Sequence, residues 1–140
     1  MNMTVSIPAG PDPGARAPHI LVVDDATVVR LYYRQILELA GYRVDEAING
    51  LEGLEKVVQA PYDLCIIDVN MPMMDGYAFL RALRRLPVSA TVPALMTSTE
   101  ADPQDRSNAL AAGANFYLVK PVSRDQLSLH VAALLGRRAA

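Results

Sequence analysis

The chain has 140 residues, 51% of them apolar and 20% charged, with a formal net charge of −2. That length predicts one domain, and a chain of this size buries roughly 68–70% of its extended surface, enough for a true core. The composition excludes a disordered chain, and the slight negative charge argues against nucleic acid as the main partner. The single cysteine cannot pair within the chain, and no apolar run approaches the ~18 residues of a membrane span.

Residues 1–17 read as a flexible arm. Pro8, Pro11 and Pro13 fall in it with Gly10 and Gly14, Pro18 follows directly, and no signal-peptide core is present. A solvated tail is the plain reading and a docking arm the alternative. The folded domain then spans residues 18–140.

Ile20-Leu21-Val22-Val23 is an apolar run that ends in Asp24-Asp25. Val29, Tyr33, Ile36, Leu37 and Ala40 recur at helical spacing, and Gly41 stops the helix. Arg43 to Ile48 predicts a strand with polar residues, as expected nearer a sheet edge. Asn49-Gly50 predicts a turn. Leu51, Leu54 and Val58 mark a second helix, closed by Pro61.

Leu64-Cys65-Ile66-Ile67 is a short run buried on both faces, and it ends abruptly in Asp68. Cys65 in its middle is expected to be a small core residue. Pro72 and Asp75-Gly76 predict a turn. Phe79, Leu80, Leu83 and Leu86 give a third helix, with Arg81, Arg84 and Arg85 on its wet face. Residues 93–97 form a fourth strand ending at Ser98, followed by a weakly amphipathic helix from about Pro103 to Ala112 that Gly113 ends. Phe116 to Val119 is a fifth strand ending at Lys120-Pro121, and Leu127, Val131 and Leu134 line a last helix. His19 and His130 are expected to be structural or solvated.

Strand and helix alternate five times. This predicts an α/β fold, a doubly wound five-stranded parallel sheet with five helices. In a parallel sheet the carboxyl ends of the strands share one edge, where open α/β sheets place their chemistry. Asp24-Asp25, Asp68, Ser98 and Lys120 would therefore meet in one crevice. Clustered carboxylates repel one another and favour a hard divalent cation, and an all-oxygen donor set suits Mg²⁺. A carboxylate nucleophile, a metal and a mobile ammonium together suggest phosphoryl transfer through an aspartyl phosphate.

The segments LVVDD (21–25), DVNMPMMDG (68–76), MTSTE (96–100) and Lys120-Pro121, in this order and spacing, resemble the response-regulator receiver domain of two-component signalling. The resemblance covers roughly His19 to Arg137. It implies a flavodoxin-like strand order of 2-1-3-4-5, with residues 18–140 as the receiver domain. It also implies Asp68 as phosphoacceptor, Asp25 as direct Mg²⁺ ligand, Asp24 holding a metal-bound water, and Asn70 giving a main-chain carbonyl to the metal. Lys120 resembles the ion-pair partner of the phosphoryl group, joined to Pro121 by a bond that is usually cis. Ser98 resembles the switch hydroxyl and Tyr117 the aromatic switch that turns inward.

The implied partners are a histidine kinase and an output protein, either a flagellar motor switch or a phosphotransfer protein. The implied setting is a cytoplasmic monomer without nucleic-acid or membrane partners. The expected role is a phosphoacceptor switch and not a turnover enzyme, with self-phosphorylation and autodephosphorylation only. Because the chain ends about one helix after Lys120-Pro121, output by protein binding is expected. Asn70-Met71 and Glu100 resemble chemotaxis regulators, although Asp102-Pro103 stands where basic residues would be expected. A phosphorelay or cell-cycle regulator is the competing reading. A haloacid-dehalogenase-type phosphatase would need a second Asp where Asn70 stands. In an FMN carrier, Asp24-Asp25 would repel the cofactor's phosphate.

Overall fold

The computed structural model describes residues 16–137, so the expected arm at 1–17 lies outside the described residues but for its last two positions. The elements follow the order β1 His19–Val23, α1 Thr27–Leu39, β2 Arg43–Ala47, α2 Gly50–Gln59, β3 Leu64–Asp68, α3 Gly76–Arg85, β4 Ala94–Ser98, α4 Pro103–Ala112, β5 Phe116–Val119 and α5 Arg124–Leu134. All five strands pair in parallel, in the order β2-β1-β3-β4-β5. No described helix is long and apolar enough to cross a membrane.

The period-2 alternation of strand side chains divides the core in two. Leu21, Val23, Cys65, Ile67, Ala94 and Met96 point to one face, under Val57 of α2, Phe79, Leu80 and Leu83 of α3, and Ala109 of α4. Ile20, Val22, Leu64, Ile66, Leu95 and Leu118 point to the other, under Tyr33, Ile36 and Leu37 of α1 and Leu127 and Val131 of α5. Strands β1, β3 and β4 are thus apolar on both faces, and for that reason they read as unbroken runs. Cys65 is fully buried, and burial pushes its thiol up to about 12. It is an inert core residue at neutral pH. His19 pairs with Asp45 at 2.9 Å, and His130 stacks on Phe116.

Three local expectations differ from what is found. Asn49-Gly50 is a helix start: the Asn49 side chain accepts from the Glu52 amide at 2.9 Å, and Glu52 accepts in return from the Ile48 amide at 2.8 Å. A residue that breaks a strand and accepts from the next turn serves both roles, so a turn signal and an N-cap signal coincide. Asp75 likewise caps α3 through the Ala78 amide at 2.9 Å.

Helix α2 buries Leu54 and Val57, while Leu51 and Val58 are 43% and 63% exposed. Its contact face is set by Gly50 and Gly53. A Cβ on Gly53 would stand 2.7 Å from the Phe79 ring, so a glycine there lets α2 approach α3 closely beside Leu54 and Val57.

Arg84 is not on a wet face. Its guanidinium is half-buried and donates to the carbonyls of Gly113 and Val92 and to Asn115 Oδ1. The arginine ties α3 to the segments before β4 and after α4. Arg84→Met keeps the stem's packing but leaves these acceptors unpaired. It is expected to cost about 2–4 kcal/mol, read as a lower urea midpoint with unchanged slope.

Candidate functional site

The carboxyl edge of the sheet gathers the expected residues. Asp24 directly follows β1, Asp68 ends β3, Ser98 ends β4, and Lys120 directly follows β5. Asp24, Asp68 and Ser98 are all at most 5% exposed, whereas Asp25 is exposed. One carboxylate oxygen from each of Asp24, Asp25 and Asp68 lies within 4.8 Å of the others.

Each carboxylate is held differently. Asp24 accepts from the Ala26 amide through Oδ1 at 2.9 Å and from Lys120 Nζ through Oδ2 at 2.9 Å. Lys120 Nζ also pairs with Asp68 Oδ1 at 3.1 Å. Asp25 makes no ion pair or hydrogen bond among the described residues and so has its carboxylate free for a cation. The position of Asp24 is fixed from below by Arg30, whose buried guanidinium donates to the Asp24 carbonyl at 2.7 Å and to Glu46 at 2.8 Å. Arg30 escaped the sequence reading because it sits among core positions of α1, where a charge is rare unless paired.

Burial and the neighbouring Asp24 carboxylate push the Asp68 carboxyl up to about 6, and Lys120 only partly offsets them, since its ammonium is shared with Asp24. For Lys120, burial works against the charge. Asp24 and Asp68 outweigh it and raise the pKa above the ordinary lysine value. A raised carboxyl binds more protons in the folded chain than in the unfolded one. Stability attributable to Asp68 is therefore present at low pH and lost as pH rises from about 4 to about 6. In metal-free buffer, the difference in unfolding free energy between the chain and Asp68→Asn is expected to shift by about 3 kcal/mol across that window. Urea titrations of both proteins at stepped pH measure it.

Asn70 is exposed, two residues beyond Asp68. Ser98 does not face an open acceptor: its Oγ accepts from the Glu100 amide at 3.1 Å. Tyr117 is 2% exposed, and its hydroxyl donates to the Glu100 carbonyl at 2.6 Å, so the aromatic ring is already turned inward. Arg106 of α4 stands over that ring at 5.6 Å. Lys120-Pro121 is cis. Beside the crevice, between α1 and the 120–122 turn, runs a cleft of about 410 Å³ lined by Val29, Tyr32, Tyr33, Thr99, Lys120, Pro121 and Val122.

All the donors facing the acidic cluster are oxygens, and Asp25 is unengaged, so the residues present fit a hard cation such as Mg²⁺. The arrangement supplies a buried carboxylate with the chemistry of a nucleophile, an ammonium paired to it, and a hydroxyl at the same rim.

Comparison with known proteins agrees with this geometry. Residues 20–132 match the family described as response regulator receiver domain. The chain is 39% identical over 92% of its length to the transcriptional regulatory protein PrrA of Mycobacterium leprae, of which it covers 54%. It spans about half or less of the curated relatives it matches. Among solved structures, the chemotaxis protein CheY4 of Vibrio cholerae superposes with a TM-score of 0.82 at 35% identity, covering 85% of this chain and 99% of that one. The receiver domain of sensor histidine kinase PA1611 of Pseudomonas aeruginosa, with a magnesium ion coordinated in its active-site cleft, superposes with a TM-score of 0.80 at 30% identity, covering 86% and 99%.

Proposed function

The chain belongs to the response regulator receiver domain family, and from that premise we propose that it accepts a phosphoryl group on Asp68 from a histidine kinase and signals by phosphorylation-dependent protein binding. The observation that carries the reading is Lys120 Nζ lying 2.9 Å from Asp24 and 3.1 Å from Asp68, beside the free carboxylate of Asp25. Asp68 is the nucleophile: its oxygen forms a bond to phosphorus as the bond from phosphorus to the donor's imidazole nitrogen breaks. With its carboxyl near 6, Asp68 is largely ionised at neutral pH. Asp24, Asp25, Asp68 and the main-chain carbonyl of Asn70 would hold Mg²⁺, which supplies neutralisation of phosphoryl charge. Lys120 pairs with the transferred group, and the Ser98 hydroxyl leaves the Glu100 amide to donate to it. Phosphate adds roughly −1.5 to −2 charges. Tyr117, already inward and bonded to Glu100, couples that movement to the face formed by α4, β5 and α5.

The output we favour is chemotaxis or motility control by a cytoplasmic monomer that binds a flagellar motor switch protein. The likeness to CheY4 over 99% of that chain supports it. A phosphorelay role, with phosphate passed to a histidine phosphotransfer protein, is supported by the likeness to the receiver of a sensor histidine kinase. Pull-down with the chain in Mg²⁺ and beryllofluoride, beside Asp68→Ala, separates them. Retention of a flagellar switch component by the activated bait alone sustains the first. Retention of a kinase or phosphotransfer protein instead transfers the chain to the second.

A further inference from the structure

Thr97 carries a fully buried hydroxyl that has no hydrogen-bond partner among the described residues. It pairs in register with Asp68, on the sheet face shared with Leu95 and covered by α1. An unpaired buried hydroxyl costs stability, so a native chain that keeps one calls for an explanation. Beside Thr97 is the Tyr33 phenol from α1, 2% exposed, close enough to act on it as a polar neighbour but not in hydrogen-bonding geometry, and within the field of Lys120, Asp24 and Asp68. Burial pushes that phenol up to about 12, so it stays neutral.

Lys120 has three N–H donors. Two are committed to carboxylates, Asp24 Oδ2 and Asp68 Oδ1. A divalent cation among Asp24, Asp25 and Asp68 draws on those same carboxylates and so competes with the ammonium. An ammonium displaced inside a half-buried crevice needs other acceptors. Tyr33 and Lys120 both form part of the wall of the 410 Å³ cleft, which gives the lysine head room to move.

We propose that the Tyr33 and Thr97 hydroxyls are a berth for the Lys120 ammonium: positioning residues that accept its N–H groups when a cation takes the carboxylates, and that keep it beside the incoming phosphoryl group. This rests on the metal-dependent phosphoryl-transfer reading and assigns a part of its Mg²⁺ affinity to two residues outside the acidic cluster. The berth explains why a threonine, and not a valine, ends an otherwise apolar stretch of β4.

The test is calorimetric titration of the full chain with MgCl₂, for the unsubstituted protein, Tyr33→Phe/Thr97→Val, Lys120→Met, and all three substitutions combined. The double variant is expected to bind Mg²⁺ about threefold to tenfold more weakly, with a thermal midpoint no lower than that of the parent. In the Lys120→Met background the same two substitutions are expected to change nothing, because no ammonium needs the berth. If the double variant fails to fold, Tyr33→Phe alone carries the comparison. Saturable binding that is equal in parent and variant overturns the berth alone, as does the same loss with Lys120 absent. No saturable binding by the unsubstituted chain removes the metal-dependent reading and the berth with it.

Discussion

Asp68→Asn is expected to take up no phosphoryl group from acetyl phosphate or from a kinase, a fall of roughly 10³-fold or more in incorporation, read by intact-protein mass. The amide that replaces the carboxylate has no charge to offer phosphorus, and no neighbour can substitute. Asp24 has both oxygens engaged, one by the Ala26 amide and one by Lys120. Asp25 is free but exposed, and it makes no ion pair with Lys120, whose ammonium pairs with Asp24 and Asp68. The variant should nevertheless fold, and above pH 6 it should be the more stable protein. The Asp68 carboxyl is pushed up to about 6 by burial and by Asp24, so its ionised form is the disfavoured one and a neutral isostere relieves the repulsion. Loss of uptake together with gain of stability is a signature that general unfolding cannot produce. A phosphate adduct that persists on Asp68→Asn and maps to Asp25 would overturn the acceptor assignment.

The placement of Asp24, Asp68, Ser98 and Lys120 at one sheet edge was legible in the sequence because each ends or directly follows a short apolar strand. Such strands announce their ends sharply, and a parallel sheet aligns those ends. The same alternation gave the fold class, and the strand order came with the family likeness. What was not legible depends on contacts between segments distant in sequence. Arg84 reads as a surface residue on α3 until Gly113, Val92 and Asn115 are brought around it. The α2 face was misplaced because periodicity weighs large apolar residues, while Gly53 packs by having no side chain. Arg30, Tyr33 and Thr97 occupy core positions of α1 and β4, and only their polar atoms set them apart. A lone hydroxyl or guanidinium in an apolar period is a weak signal by itself, and its meaning depends on which charges the fold sets beside it.

Gly76→Ala tests how closely the loop after β3 is built around Asp68, the proposed nucleophile. A Cβ at this position would stand 2.4 Å from the Asp68 carbonyl oxygen, 2.8 Å from Val69 Cα and 2.9 Å from Met96 Cε. Two of these are backbone atoms and cannot swing aside as the end of a side chain can. The Gly76 amide also donates to the Val69 carbonyl at 2.8 Å, which pins the start of α3 onto the segment leaving β3. Relief of the overlap must move that segment, and Asp68 with it. The expected cost is about 2–4 kcal/mol in unfolding free energy, together with slower phosphoryl uptake and weaker Mg²⁺ binding under conditions where the variant is still folded. Gly113→Ala supplies the contrast. Gly113 ends α4 at φ +110°, so alanine there is strained and should cost more than about 1 kcal/mol. Its new Cβ, however, would meet only the Arg84 side chain, at 3.1 Å. Gly113→Ala should therefore lose stability and keep its rate of uptake. If both variants lose stability and both keep uptake, Gly76 is a packing residue whose strain does not reach Asp68. If Gly76→Ala alone loses uptake per folded molecule, the close approach of α3 to the end of β3 is what holds Asp68 in place.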